Sequence, residues 1–145
     1  MSRKAKAEPP WIFLDHTADI RMEVHGKTME ELFSNAARGM MSLLVSRPSG
    51  DAETEITVHL DSGDYEDLLV DWLREILFQN EVRDFVLLEP CILRLSETGI
   101  EARLEGRRFQ PGEERPDQEI KGVTYHGLSI EETDRGYRAR IVFDI

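Results

Sequence analysis

The spacing of apolar residues changes along this chain, and that change limits the folds that the chain can adopt. Two stretches, residues 29–44 and 68–77, repeat apolar residues every three or four positions, which is the period of an amphipathic helix. Elsewhere apolar and polar residues alternate, as in Ile20 to His25, in Ile56 to Asp61 and in much of the chain after Phe85. The sequence therefore predicts an α+β fold: mostly antiparallel β-sheet, with about two long amphipathic helices packed on it.

The ends of both predicted helices carry recognisable signals. Thr28 and Glu31 have the spacing of a capping box, and Arg47 to Gly50 would end the first helix. Ser62 to Asp64 would begin the second helix, whose first turn is acidic, as the helix dipole favours. The apolar stripes of both helices are typical of core packing, so we assign them no ligand groove.

Length and charge restrict the functional classes. The chain has 145 residues and no repeat or linker that would divide it, so we expect a mobile tail at residues 1–10 and a single domain at residues 11–145. Its net charge is −11, whereas direct nucleic-acid binding needs clustered Lys and Arg. The charge favours a cation ligand or a basic protein partner.

The chain contains one cysteine, Cys91, in an apolar run, and we expect it to be a small buried residue. The first ten residues lack the apolar core of a signal peptide, and no apolar stretch is long enough to span a bilayer. We therefore expect a cytoplasmic protein with no membrane partner.

One polar stretch interrupts the predicted strands near the start of the chain. It contains Asp15, His16 and Asp19, and the far end of the chain adds Asp144 and the terminal carboxylate of Ile145. If the last strand lay beside the first, Asp19 and Asp144 would meet, and a hard cation such as calcium or magnesium would relieve their repulsion. A local turn for the first stretch and a solvated C-terminus remain the alternatives.

A second polar cluster, residues 121–127, places Lys121 and His126 on a predicted strand. Lys121 could reach a phosphate or a carboxylate cluster, or it could be solvated, with His126 hydrogen-bonded at a strand end. Asp19 with His126 would also suit a metal-dependent hydrolase. The sequence contains no nucleophile elbow and no Gly-rich phosphate loop, so an enzymatic function has no further support.

Five segments of the chain resemble the archease family, in the order in which that family carries them. The segments are LDHTADI (14–20), GKTMEELFSNAARGMMSLL (26–44), DLLVDWLREILF (67–78), IKGVTYHGLSI (120–130) and the terminal FDI (143–145). Together they cover essentially the whole chain except the tail. The combination of DHTAD, K-x-V-T-Y-H and a terminal DI is far more specific than any one part.

This resemblance implies a protein that is not itself an enzyme. Archease-like proteins promote guanylylation and turnover of RtcB-type RNA ligases, which seal tRNA exon halves with GTP and manganese. The resemblance also implies a bound divalent cation held by Asp19, Asp144 and Ile145. Calcium is the ion found in the family's structures, and manganese is the candidate in function. Asp15, His16, Lys121 and His126 become supporting residues, for the metal or for contact with the partner.

The chain departs from the family pattern at two places. The family has Gly-Glu after the strand that corresponds to EARLEG and a His later in the loop, whereas here Gly106 is followed by Arg107, Arg108 and Phe109, with no His up to Glu119. Gly122 stands where Ala is commoner. A chaperone-like binding module is the remaining alternative, and it would bind unfolded proteins through exposed apolar surface.

Overall fold

The computed structural model describes residues 9–14, 19–113, 115 and 119–145. It contains two helices and seven strands. In chain order these are β1 (Trp11–Leu14), β2 (Asp19–Gly26), α1 (Met29–Leu44), β3 (Thr54–Asp61), α2 (Tyr65–Arg83), β4 (Phe85–Ser96), β5 (Gly99–Arg108), β6 (Gly122–Thr133) and β7 (Gly136–Asp144). The predicted α+β class is confirmed.

The strands form two antiparallel sheets, a division that the alternating pattern did not reveal. One sheet has four strands in the order β1-β2-β7-β6, and the other has three in the order β3-β5-β4. Both helices contact both sheets. A helix between two sheets must bury more than one narrow stripe, and α2 accordingly buries residues as far round as Val70, Trp72 and Asn80.

Both helices begin where the sequence predicts. The Thr28 hydroxyl accepts a hydrogen bond from the Glu31 N–H at 3.1 Å, and the Asp64 carboxylate accepts one from the Asp67 N–H at 2.8 Å. These caps satisfy N–H groups that have no partner within the helix. α2 ends at Asp84, which adopts a left-handed conformation with φ of 56°.

The core is one apolar cluster shared by the helices and both sheets. Trp72 on α2 is completely buried, and its indole N–H donates to the Phe33 carbonyl at 2.9 Å. This bond joins the two helices and leaves the indole donor satisfied, as burial of a tryptophan requires.

The prediction that Cys91 is buried was wrong. Cys91 lies on β4 and is partly exposed, and its sulfur is 3.7 Å from Nη2 of Arg103. β4 is an edge strand with register shifts between Leu87 and Glu89 and between Ile92 and Arg94. Edge position and irregular pairing also accommodate Pro90, which has no N–H to donate.

Neither described helix is both long enough and apolar enough to cross a membrane.

Candidate functional site

The two strands that carry the predicted site, β2 and β7, are direct neighbours in the four-stranded sheet. Asp19 at the start of β2 is the Cα partner of Asp144 at the end of β7. Residues directly opposite each other in an antiparallel pair project to the same face. Their neighbours Ile20 and Phe143 are buried in the core, so Asp19 and Asp144 lie on the face turned away from it. We call Asp19, Asp144 and Ile145 the acidic end.

Main-chain and apolar contacts hold the acidic end in position. The Lys121 N–H donates to the Asp144 carbonyl at 2.7 Å, and the Ile145 side chain packs against the core. These contacts fix the last two residues of the chain beside each other at the edge of the hydrophobic core.

Among the described residues, one positively charged side chain forms an ion pair with these carboxylates. Nε of Arg21 is 3.4 Å from Oδ1 of Asp19, but the Arg21 side chain is 60% exposed. An ion pair so open to water contributes little, since solvent screens it. Like charges placed directly opposite on paired strands are destabilising. Asp19 and Asp144 thus place two like charges directly opposite each other, and a bound cation would balance them.

The donor set of the acidic end fits a hard divalent cation. Asp19 and Asp144 offer carboxylate oxygens, the ligands that calcium, magnesium and manganese prefer, and Ile145 follows Asp144 directly. Within the described ranges, no group of three His, Cys, Asp or Glu side chains is arranged to hold a metal ion. The acidic end supplies two such side chains together with a main-chain carboxylate.

The supporting residues fall into two groups. Asp15 and His16 lie outside the described residues. Lys121 joins the acidic end through its main chain, directly before Gly122, the second Cα partner of Asp144. An added Cβ at Gly122 would meet no described atom within 4 Å, so the structure gives no steric reason for glycine there.

His126 lies beyond a break in the strand pattern. β6 pairs regularly with β7 as far as Thr124 and resumes at Ser129, and Gly127 in between has a φ of 78°. The alternation predicted for this strand therefore holds only to Thr124. His126 is exposed, and its backbone N–H donates to the Thr124 hydroxyl at 3.0 Å. No hydrogen bond or ion pair joins its imidazole to Asp19 among the described residues.

Arg74 of α2 also belongs to this region, although no motif in the sequence indicated it. Its Nε and Nη2 donate to the Val123 carbonyl at 3.1 and 2.8 Å, and its guanidinium lies 4.9 Å from the centre of the Tyr125 ring. Burial, followed by the charge of Asp71, raises the pKa of Tyr125. Arg74 thus gives a main-chain carbonyl of the edge strand β6 two side-chain donors. A contact between residues so far apart in sequence leaves no local signal.

A second contact absent from the sequence analysis involves Arg107, in the segment that departs from the family pattern. Arg107 is 2% exposed, and Nη1 and Nη2 donate to the two carboxylate oxygens of Glu113, each at 2.8 Å. Nε donates to the Ser49 carbonyl at 2.7 Å. The hydrogen bonds from Arg107 lower the pKa of Glu113 to about 2. At this departure from the family pattern, the buried Arg107 therefore forms an ion pair with Glu113.

Comparison with protein families gives a clear match. The model of the archease protein family matches residues 11–145. A "Protein archease" from Methanosarcina mazei is 39% identical over 137 residues, covering 92% of this chain and 94% of the relative. Another, from Archaeoglobus fulgidus, is 36% identical over 135 residues, covering 92% of this chain and 97% of the relative.

Two solved structures resemble the fold. The solution structure of protein 1598 from Methanobacterium thermoautotrophicum aligns with a TM-score of 0.76 and 31% identity, covering 94% of this chain and 99% of the other. A Thermotoga maritima archease, described as a possible chaperone, aligns with a TM-score of 0.66, covering 99% of this chain and 100% of the other. Its identity is 21%, so that likeness concerns the fold alone.

Proposed function

The chain belongs to the archease family, and on this basis we propose that it is an accessory protein that activates an RtcB-type RNA ligase. It would promote guanylylation and multiple turnover of the ligase with GTP and manganese, in tRNA splicing or RNA repair in the cytoplasm. The observation that carries the proposal is the pairing of Asp19 with Asp144, which joins two family motifs from opposite ends of the chain.

In this proposal a divalent cation is held by Asp19, Asp144 and the Ile145 terminus. When bound, it would supply positive charge that neutralises the carboxylates and attracts phosphate oxygens. The chain's own contribution is positional: the hydrogen bond from Lys121 and the packing of Ile145 fix the main chain that carries Asp144 before the partner arrives. A preorganised acidic end costs less to dock than a loose one.

The surface beside the acidic end suits a protein partner. β1 is an edge strand, and its residues Ile12, Phe13 and Leu14 are all exposed. Leu14 is the Cα partner of Arg21, two residues from Asp19, so this apolar strand lies beside the strand that carries Asp19. Apolar contact area bordered by charge is typical of protein interfaces, and the net charge of −11 disfavours direct RNA binding.

Single-turnover guanylylation of a purified RtcB-type ligase from the same source, with GTP and manganese, tests the proposal. We expect the intact chain to accelerate guanylylation, and we expect Asp144→Asn and deletion of Ile145 each to abolish the acceleration. Asp61→Asn is the matched control, because it removes an exposed carboxylate from the end of β3 in the other sheet.

Two results would contradict the proposal. One is a ligase that the intact chain does not accelerate. The other is full acceleration by both variants of the acidic end. A chaperone-like function is the second candidate, supported by the exposed apolar side chains of β1. It predicts suppression of aggregation of an unfolded client that survives in Asp144→Asn and is lost in Phe13→Ser.

A further inference from the structure

The solvent-facing side of α2 carries apolar side chains that the core does not bury. Phe78 is 48% exposed and Val82 is 62% exposed, and they lie four residues apart, so the helix places them on one side. The same helical spacing adds six further residues that are not buried: Asp64, Asp67, Asp71, Arg74, Glu75 and Glu81. We call these eight residues the α2 face.

The α2 face is strongly acidic around its two apolar side chains. It holds five carboxylates and one guanidinium, that of Arg74. Among the described residues, no salt bridge compensates any of these carboxylates. Burial raises the pKa of Tyr125 on the neighbouring β6, and the charges of Asp71, Asp67 and Asp64 raise it further. A surface of this charge attracts cationic groups and repels anionic ones.

Tyr125 extends the apolar part of the α2 face toward β6. Its side chain is 46% exposed, and the Arg74 guanidinium lies 4.9 Å from the centre of its ring. Phe78 follows Arg74 by four residues and Val82 follows Phe78 by four, so these side chains succeed one another along the helix. The exposed apolar side chains therefore form a row.

This row leads to the end of the molecule that carries Asp144. Glu66, near the start of α2, accepts a hydrogen bond from the Ile130 N–H at 3.2 Å, whereas Arg74 donates to the Val123 carbonyl. α2 therefore runs antiparallel to β6, and residues after Arg74 lie beside and beyond the start of that strand. There Gly122 is the Cα partner of Asp144. A protein interface of ordinary size, about 800 Å² per partner, can include both regions.

We propose that the α2 face docks on a basic surface of the partner protein, with Phe78 and Val82 as its apolar anchors. The inference rests on the proposed function, in which this partner is the RNA ligase. An enzyme that binds RNA needs clustered Lys and Arg, so it offers the charge that complements this face. A second copy of the chain would instead oppose five carboxylates with five more. Exposed apolar side chains bordered by charge are the usual anatomy of a protein interface.

Biolayer interferometry with immobilised ligase and the full chain in solution tests the proposal. We expect Phe78→Ser/Val82→Ser to raise the Kd at least tenfold, because both apolar anchors are lost. Leu93→Ser is the matched control, since Leu93 is 56% exposed on β4 in the other sheet. Its Kd should equal that of the unmodified chain. An unchanged Kd in the double variant would overturn the proposal.

The charge of the partner surface is read from a second variant, Asp71→Asn/Glu81→Gln. We expect its Kd at low salt to be higher and to rise less steeply with added salt than that of the unmodified chain. Glu132→Gln/Asp134→Asn, which removes two exposed carboxylates outside the α2 face, should leave the Kd unchanged. Tighter binding by Asp71→Asn/Glu81→Gln would show that the partner surface is not basic and would overturn the proposal.

Guanylylation measured with the same proteins separates this proposal from the proposed function. At saturating concentration the Phe78→Ser/Val82→Ser chain should still accelerate guanylylation, because its acidic end is intact, whereas Asp144→Asn should not. Acceleration with no dependence of the Kd on the α2 face would retain the proposed function and refute the docking surface. Binding that depends on the α2 face without acceleration would retain the docking surface and refute the proposed function.

Self-association is measured by analytical ultracentrifugation of the chain alone. We expect a monomer with and without Phe78→Ser/Val82→Ser. A dimer that this double variant abolishes would assign the α2 face to a second copy and overturn the proposal. The unfolding temperature of the double variant should match that of the unmodified chain, because both substituted side chains are exposed.

Discussion

The carboxylates of the acidic end and the carboxylate of Glu113 lie in opposite electrostatic surroundings. At the acidic end, Asp19 and Asp144 face each other across paired strands, and only the exposed Arg21 lies close among the described residues. After the end of β5, Glu113 is paired with the buried Arg107, and each of its oxygens accepts one guanidinium hydrogen bond. The first arrangement places like charges together, and the second pairs a carboxylate with a guanidinium.

The difference separates a binding role from a structural role. A buried charge persists only when its partner is present, because the desolvation cost of the pair is met by their mutual attraction. The Arg107–Glu113 pair meets this condition and also binds the Ser49 carbonyl, which joins the end of β5 to the loop after α1. At the acidic end the one nearby cation among the described residues is the exposed Arg21, and Asp144 lies at the surface, where a ligand can reach it.

The largest expected effect comes from breaking the buried pair. Arg107→Met leaves Glu113 enclosed without its partner, and we expect a loss of about 4 kcal/mol in the free energy of unfolding. Urea denaturation at pH 7 measures this loss. Arg108→Met is the control: its side chain is 75% exposed and should change the free energy by less than about 0.5 kcal/mol. Equal losses in the two variants would remove the distinction between the two roles.

Acid should weaken the buried pair over a defined range of pH. The pKa of Glu113 lies at about 2 in the folded chain and at 4.5 as its ordinary value, so its contribution is complete above pH 4.5 and is lost as the pH falls toward 2. The full loss corresponds to about 3 kcal/mol.

The free energy of unfolding of the unmodified chain, compared with that of Glu113→Gln between pH 6 and 2.5, isolates this contribution. The gap between them should narrow as the pH falls. Glu132→Gln, at an exposed residue of β6, should instead follow the unmodified chain throughout. A constant gap for Glu113→Gln would show that the pair does not titrate in this range.

The smallest expected effect is at the acidic end. Asp144→Asn removes one of two opposed charges, so without divalent cations the free energy of unfolding should stay the same or rise by about 0.5 kcal/mol. Calcium should raise the unfolding temperature of the unmodified chain, because a ligand that binds only the folded state stabilises it.

The same calcium titration should leave Asp144→Asn unchanged and should still raise the unfolding temperature of Glu113→Gln. An equal rise in the unmodified chain and in Asp144→Asn would place calcium binding elsewhere. The acidic end and the Arg107–Glu113 pair would then differ only in their contribution to the free energy of unfolding.

The sequence by itself determined the local elements of this fold. The capping residues Thr28 and Asp64 begin the helices as predicted, and the alternation in Ile20 to His25 corresponds to β2. These signals are readable because a cap or an amphipathic period involves residues only a few positions apart. Family motifs added the pairing of Asp19 with Asp144, which spacing alone left open.

Only the tertiary structure decided what depends on distant segments. It divided the strands into two sheets and set Arg74 against the carbonyl of Val123. It also paired the unusual, buried Arg107 with Glu113. Such contacts follow from burying several apolar faces at once, so they depend on the whole chain and leave no periodic trace in any one stretch of it.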